Sequence, residues 1–169
     1  MITTERLKLR AWRKNDIEKY YSINQDEKVL EFLPGAMSLS EVENFIRKQN
    51  DNLEKYNYCL WAVQKEEELI GFIGLNYTDF LDKVEIGWRL GSQYWGNGYA
   101  TEGAKACLCY GLDQLKIENI ISFTVPDNKR SINVMEKIAL RRAPLLDFKH
   151  PKLSSDHRLS NHIVYAKYV

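Results

Sequence analysis

The chain has 169 residues, of which 44% are hydrophobic and 28% charged, and its formal net charge is +1. This length favours one domain over residues 1–169 with a real apolar core. The small net charge gives no basis for direct nucleic-acid binding, and no apolar run approaches the roughly 18 residues that span a membrane.

The cysteines and the first residues of the chain indicate the cellular compartment. Cys59, Cys107 and Cys109 cannot all pair with one another, and side chains two residues apart on a helix point away from each other. The first residues show no secretion signal. Buried, reduced thiols are therefore expected, and the sequence predicts a cytoplasmic protein that is a monomer or a homodimer.

The N-terminal part predicts one strand followed by two helices. The strand covers Arg6–Trp12. Asn15 then offers a helix N-cap with Glu18 three residues on, and Ser38 with Glu41 repeats this capping box. The helix after Ser38 has a periodic apolar face, made of Val42, Phe45, Ile46 and Leu53.

Three strands are predicted in the middle of the chain. Tyr58–Gln64 and Leu69–Asn76 flank a short charged turn. Val84–Leu90 carries its large apolar residues at alternate positions, which is the period of a half-buried strand. The short connections between these strands predict an antiparallel meander.

The C-terminal part alternates strands and helices. Four elements are predicted in order: a strand over Asn119–Val125, a helix over Lys129–Ala139 capped by Asn128 or Asp127, and strands near Arg141–Phe148 and His162–Tyr168. The whole order indicates an α+β or mixed α/β fold, in which a twisted sheet carries helices on both faces.

Two glycines, Gly96 and Gly98, lie between the strand Val84–Leu90 and a predicted helix. The apolar face of that helix consists of Ala100, Ala104, Cys107, Leu108, Leu112 and Leu115. A strand, a glycine turn and a helix start direct free backbone N–H groups at an anion. The segment therefore predicts a phosphate or pyrophosphate site.

Other glycine-loop sites fit less well. A nucleotide P-loop needs a Lys-Ser or Lys-Thr pair, whereas Tyr99 and Ala100 follow the second glycine here. A dinucleotide fingerprint needs Gly or Ala where this chain has Thr101, although Glu118 lies at a suitable distance for a ribose contact. A turn that only reverses the chain is the remaining alternative.

The spacing Gln93-x-x-Gly96-x-Gly98 resembles the acyl-CoA signature of the GNAT superfamily of N-acetyltransferases. The longer run Tyr94–Glu102 resembles the RimJ/RimL ribosomal-protein acetyltransferase group. The similarity extends to three other segments: Thr4–Trp12, Val84–Leu90 and Asn128–Ile138. Two positions depart from that group, which usually has Gly-Phe at Ala139-Leu140 and often a tyrosine general acid at Met135.

This resemblance implies the GNAT fold, with a mostly antiparallel sheet of six to seven strands. It implies acetyl-CoA as co-substrate and no metal. The pantetheine arm would pair with the backbone of Trp88, Arg89 and Leu90, and the side chains of Asn128 and Ser131 would contact it. The pyrophosphate would lie on the loop that contains Gln93, Trp95, Gly96, Asn97, Gly98, Tyr99, Ala100 and Thr101.

Two residues are candidates for proton transfer. Glu85 matches the glutamate that several family members use as general base; alternatively it faces solvent or pairs with Arg89. Ser131 is a candidate general acid, since Met135 holds no proton. His150, His157 and His162 have no spacing typical of a metal site and are expected in surface loops.

The function predicted is acetyl transfer from acetyl-CoA to a primary amine by direct attack in a ternary complex. A protein N-terminal α-amine is the favoured acceptor because its pKa, about 7.8, leaves it partly neutral at pH 7. The alternatives are a small-molecule acceptor (polyamine, amino acid or amine antibiotic), a non-catalytic acyl-CoA-binding module, or a purely structural domain.

Overall fold

The computed structural model describes residues 1–168, which form one mixed sheet with helices packed on it. The strands are β1 Ile2–Thr3, β2 Lys8–Arg10, β3 Leu60–Lys65, β4 Glu68–Thr78, β5 Lys83–Leu90, β6 Asn119–Thr124, β7 Arg141–Arg142, β8 Phe148–Lys149 and β9 Asn161–Tyr168. The α-helices are α1 Ile17–Ile23, α2 Glu27–Leu30, α3 Leu39–Tyr56, α4 Tyr99–Cys109 and α5 Lys129–Lys137. Within residues 1–168, no helix is both long and apolar enough to cross a membrane.

The sheet order is β1-β2-β3-β4-β5-β6-β9-β7, with β8 paired to β9. Every pair is antiparallel except β5 with β6. The predicted mixed fold and mostly antiparallel sheet are confirmed. Six strands have three or more residues, and three two-residue strands raise the total among the described residues to nine. Two residues are too few to show a period in the sequence.

Some predicted boundaries are wrong for physical reasons. The first strand stops at Arg10 because the next backbone donors bond to side chains of α3 instead of the neighbouring strand: the Trp12 N–H donates to Asn50 Oδ1 at 3.0 Å and the Leu60 N–H to Gln49 Oε1 at 2.9 Å. The helix that begins after Gly98 ends at Cys109 and continues as a π turn over Tyr110–Gln114. The helix at Ser38 has the predicted capping box with Glu41.

The two faces of the sheet carry separate cores. On one face, α1 and α3 pack on a cluster that includes Trp12, Tyr20, Val42, Ile46 and Phe72. On the other face, α4 and α5 pack on a cluster that includes Trp61, Ile73, Ile86, Cys107 and Met135. Helices on both faces are therefore confirmed.

A β-bulge in β4 keeps both cores filled. Val63 pairs with Gly71 and Gln64 with Leu69, so Ile70 is the extra residue. Ile70 joins one core while Phe72 joins the other, although residues two apart normally share a face. Gly71 has φ 140°, and a Cβ there would lie 2.1 Å from the carbonyl oxygen of Arg89 in β5.

We expect Gly71→Ala to destabilise the protein by about 3 kcal/mol or more, since it adds positive-φ strain to a clash with β5 backbone. Gly35→Ala is the control, because no heavy atom lies within 4 Å of a Cβ added there. It should change stability by no more than about 0.5 kcal/mol. Urea unfolding of the two variants measures the difference, and equal midpoints would contradict this account of the bulge.

Candidate active site

The sheet opens between its two central strands, β5 and β6. Their parallel pairing consists of Val84 with Ile120 and Glu85 with Ile121, and it stops there. Beyond this point β5 stays paired to β4 as far as Leu90, and β6 stays paired to β9. Among residues 1–168, the second half of β5 therefore leaves one edge of its backbone without a neighbouring strand, and a gap begins directly after Glu85.

The glycine loop lies at the end of β5 that borders this gap. Gly96 and Gly98 have φ of 78° and 80°, which is the left-handed region that glycine adopts without strain. Within residues 1–168, the backbone N–H groups of residues 96–101 have no acceptor. Because α4 begins at Tyr99, these donors gather at a helix N-terminus, where an anion is stabilised.

Side chains near the N-terminus hold this loop through hydrogen bonds, which were not predicted from the sequence. The Glu102 carboxylate accepts hydrogen bonds from the Thr4 hydroxyl at 2.6 Å and from Arg6 Nε at 2.7 Å. Arg6 also donates to the carbonyl of Asn97 at 3.1 Å and lies over the Tyr99 ring. Burial works to raise the pKa of Glu102, but the hydrogen bonds from Thr4 and Arg6 outweigh it and lower the pKa. In the sequence, the one hint of these contacts is that Thr4–Trp12 and Tyr94–Glu102 resemble segments of the same protein family.

The start of α5 supplies the other wall of the gap. Asn128 is the helix N-cap, and its Oδ1 accepts a hydrogen bond from the Ser131 N–H at 3.2 Å. Ser131 is half-buried, while Met135 is buried in the core beneath it. This placement confirms the predicted cap and leaves the Ser131 hydroxyl at the cleft.

One cleft of about 650 Å³ joins these parts. Twelve of the predicted site residues line it: Glu85, Trp88, Arg89, Leu90, Trp95, Gly96, Gly98, Tyr99, Ala100, Thr101, Asn128 and Ser131. Gln93 and Asn97 do not. The Asn97 side chain folds back on the carbonyls of Tyr94 and Trp95 at 3.2 and 3.0 Å, so it shapes the loop from behind.

Glu85 lies where the gap begins. It is half-buried, and the amide of its cross-strand partner Asn76 donates to it at 3.4 Å. Burial raises the pKa of Glu85 to about 7, and the nearby Thr78 hydroxyl and Asn76 amide oppose this only in part. Glu85 does not pair with Arg89, whose Nη1 instead contacts Asn24 Oδ1 and lies 3.5 Å from the Tyr20 hydroxyl.

Two of the three histidines lie at the cleft, and the expectation of surface loops is wrong for His162. His150 and His162 line the cleft, and His162 belongs to β9. They join an aromatic wall, which we define as Phe80, Phe123, Phe148, His150 and His162, with neighbouring ring centroids 5.1–6.4 Å apart. Burial is the main cause that lowers the pKa of both imidazoles. No group of three potential metal ligands occurs within residues 1–168.

The cysteines follow the expectation in part. Cys59 and Cys107 are buried free thiols, and burial raises the pKa of Cys59 to about 12. Cys109 is exposed, contrary to the expectation that all three are buried, because it lies on the outer side of α4 two residues after Cys107.

The profile of the GNAT acetyltransferase domain matches residues 6–141. The chain belongs to the GNAT acetyltransferase family. The uncharacterised N-acetyltransferase YnaD of Bacillus subtilis strain 168 is 35% identical over 144 residues, which are 83% of this chain and 82% of YnaD. A GNAT-family acetyltransferase structure from Bacillus anthracis superposes with a TM-score of 0.82 at 29% identity, covering 99% of this chain and 97% of that one.

A more distant structure shows the same fold. RimL, described as a ribosomal L7/L12 α-N-protein acetyltransferase in complex with coenzyme A, has a TM-score of 0.81 at 15% identity, with coverage of 98% of this chain and 96% of RimL. The family assignment confirms the predicted enzyme class: the protein is an acetyl-CoA N-acetyltransferase of the GNAT kind. The purely structural and non-catalytic alternatives are set aside on this ground.

The raised pKa of Glu85 predicts how stability depends on pH. The folded protein binds one more proton than the unfolded chain between the ordinary glutamate pKa, 4.5, and about 7, so this carboxyl lowers stability as pH rises through that window. The free energy of unfolding falls by at most about 3 kcal/mol across this pH window.

We therefore expect Glu85→Gln to match the wild type near pH 4.5 and to exceed its stability by about 1–3 kcal/mol at pH 8. Urea unfolding at a series of pH values measures this. Glu67→Gln, in the exposed turn between β3 and β4, is the control for the loss of one surface charge. If the stability difference between Glu85→Gln and wild type does not change with pH, the pKa of Glu85 is not raised and this prediction is wrong.

Proposed function

We propose that the cleft binds acetyl-CoA with its pyrophosphate on the loop of residues 93–101 and its pantetheine along β5. The N–H groups of residues 96–101 support the first contact, since they find no acceptor within the described part of the chain and lie at one helix start. The open edge of β5 at Trp88–Leu90 supports the second, because an extended amide chain can add to it as a strand does. The Arg89 carbonyl faces Gly71 of β4, and the Leu90 carbonyl already accepts from the Trp95 indole at 2.8 Å. The pairing therefore falls mainly on the backbone of Trp88 and on the Leu90 N–H.

We propose Asn128 and Ser131 as side-chain contacts to the same arm. Both line the cleft at the start of α5, across the gap from β5. The Asn128 Oδ1 is engaged as the helix cap, so its amide N–H₂ is the group left for a ligand carbonyl. This assignment, with the loop motif, supports placing the protein in the RimJ/RimL-like group.

The reaction proposed is direct attack by a primary amine on the thioester carbonyl carbon. A C–N bond forms, the C–S bond breaks, and the amine loses one proton while the CoA sulfur gains one. Glu85 takes the proton from the amine, directly or through a water molecule, and Ser131 delivers the proton to the sulfur. A thiol of pKa about 8.5 leaves readily, so Met135 in place of a tyrosine acid does not prevent turnover.

The low pKa of an α-amine favours it as acceptor, because less free energy is needed to remove its proton. A base of pKa about 7 takes a proton from an α-ammonium of pKa about 7.8 at a cost of only about 1 kcal/mol. For a lysine ammonium of pKa about 10.4 the same transfer costs about 4.6 kcal/mol. The likeness to RimL, described as an α-N-protein acetyltransferase, supports a protein N-terminus as the favoured form of this amine. A small-molecule amine with a similarly low pKa is the alternative.

The cysteines support a proposal for the cellular compartment. The free thiols Cys59, Cys107 and Cys109 suit a reducing compartment, so we propose a cytoplasmic enzyme, either monomer or homodimer. A single domain over residues 1–169 remains a prediction, and Val169 lies outside the described residues.

Acceptor preference tests this proposal. One peptide has a free α-amine and no lysine; its control has a blocked N-terminus and one lysine. We expect CoA release from acetyl-CoA at pH 7.5 to favour the first by on the order of a hundred-fold in kcat/KM. Glu85→Gln should lower kcat/KM for it most above pH 7, where the wild-type carboxylate is ionised. A preference for the lysine peptide, or an unchanged pH profile in Glu85→Gln, would contradict the proposal.

A further inference from the structure

The aromatic wall stands on the same face of the sheet as Glu85, directly across the gap. Because Glu85 pairs with Ile121, Gly87 is level with Phe123, two residues further along each strand. Phe123 pairs with Val164 of β9. His162 precedes Val164 by two residues on this antiparallel strand, so it is level with Arg89 of β5. Residues two apart share a face, so Glu85 and Arg89 border one side of the gap and Phe123 borders the other. His162 lies beside Phe123 on β9, one strand further from the gap.

The rings of the aromatic wall are only partly buried, so a ligand can reach them. Phe123, His150 and His162 line the cleft and are half-buried, while Phe80 is 44% exposed. The Phe148 ring stacks on His162 with 14° between planes, and the Phe123 ring stands at 76° to His162. Such a set offers both ring faces and ring edges to a further ring, which are the two arrangements that aromatic pairs prefer.

The wall is also electrically neutral at neutral pH. Burial lowers the pKa of His150 and His162 below the ordinary 6.5. The His162 Nδ1 lies 3.2 Å from the Ser160 carbonyl, which can only accept, so this nitrogen carries the hydrogen in the neutral ring. The His150 Nδ1 accepts from the Lys152 N–H at 3.3 Å, so its hydrogen is on Nε2. No ionised group belongs to the wall itself.

We infer that the aromatic wall is an acceptor subsite that binds a planar aromatic or heteroaromatic ring attached a few bonds from the reacting primary amine. This inference rests on the proposed function, because the gap beside Gly87 is where the thioester would meet the amine. The ring stacks on His162 or meets the edge of Phe123 on one side of the gap, while the amine reaches the region of Glu85. The same chemistry is found in an aromatic amino-acid derivative and in a peptide that begins with an aromatic residue.

Three amides with similar α-amines test the subsite: phenylalaninamide, cyclohexylalaninamide and alaninamide. Cyclohexylalaninamide is as bulky and apolar as phenylalaninamide but has no π face. We expect kcat/KM for phenylalaninamide to exceed that for alaninamide by at least about ten-fold and that for cyclohexylalaninamide by about two- to ten-fold. A tetrapeptide that starts with phenylalanine distinguishes the sources: faster acetylation than phenylalaninamide assigns the subsite to peptide N-termini, and slower acetylation assigns it to small amines.

Variants then connect the preference to the wall. Phe123→Leu and His162→Leu each replace an aromatic ring by an apolar side chain of similar size that has no π face. Each should therefore reduce the ratio of kcat/KM for phenylalaninamide to that for cyclohexylalaninamide towards one. Tyr56→Leu, an exposed aromatic of α3 outside the cleft, is the matched control and should keep the wild-type ratio. If Phe123→Leu does not fold, His150→Leu replaces it, since His150 follows β8 in a half-buried position.

Two results separate this inference from the proposed function. Equal kcat/KM for the three amides, or wild-type ratios in the wall variants, would overturn the subsite while acetyl transfer stands. If no amine is acetylated, calorimetry of N-acetylphenylalaninamide against its cyclohexyl analogue, with the CoA-saturated protein, decides the subsite alone. Tighter binding of the aromatic product that is lost in His162→Leu would support the subsite, and equal binding of the two products would overturn it.

Discussion

The interruption of the sheet after Glu85 is the constraint on which the site depends. Strands in a sheet satisfy each other's backbone N–H and C=O groups, and buried groups left without a partner cost free energy. Here β5 and β6 part after two paired residues, although each stays paired on its outer side. The gap is thus held open by the rest of the sheet, and it offers a ready edge of backbone to an extended ligand.

Several contacts fix the strands around this gap. The bulge at Gly71 lets β4 approach the carbonyl of Arg89, and the Trp95 indole bonds the carbonyl of Leu90. The link between Arg6 and Glu102 holds the glycine loop at the start of α4. The same enclosure that shapes the cleft removes water from Glu85 and raises its pKa to about 7. The position of Glu85, the proposed base, and its proton affinity therefore have one structural origin.

The elements of the proposed donor half could be predicted from sequence, whereas those of the proposed acceptor half could not. The glycine loop, the capping box of Ser38 with Glu41 and the alternating strand Val84–Leu90 are local patterns, each read within about ten residues. The capping box expected at Asn15 with Glu18 is wrong, because Asp16 is the N-cap residue of α1. The partners of Glu85 and the wall around His162 are brought together by sheet register, which no local pattern encodes. The link between Arg6 and Glu102 joins residues 96 apart, and the two-residue strands have no period at all.

Amide hydrogen exchange with and without acetyl-CoA tests the central claim most directly. The account predicts slower exchange in the second half of β5 and at residues 96–101, with no change in α3, because the ligand would occupy the free donors of these two segments. Gly98→Asp should lose this protection through charge repulsion, while Gly98→Asn, of equal size, should keep most of it. Protection absent from β5 and the loop, or equal in the two variants, would contradict the proposed binding of acetyl-CoA in the gap.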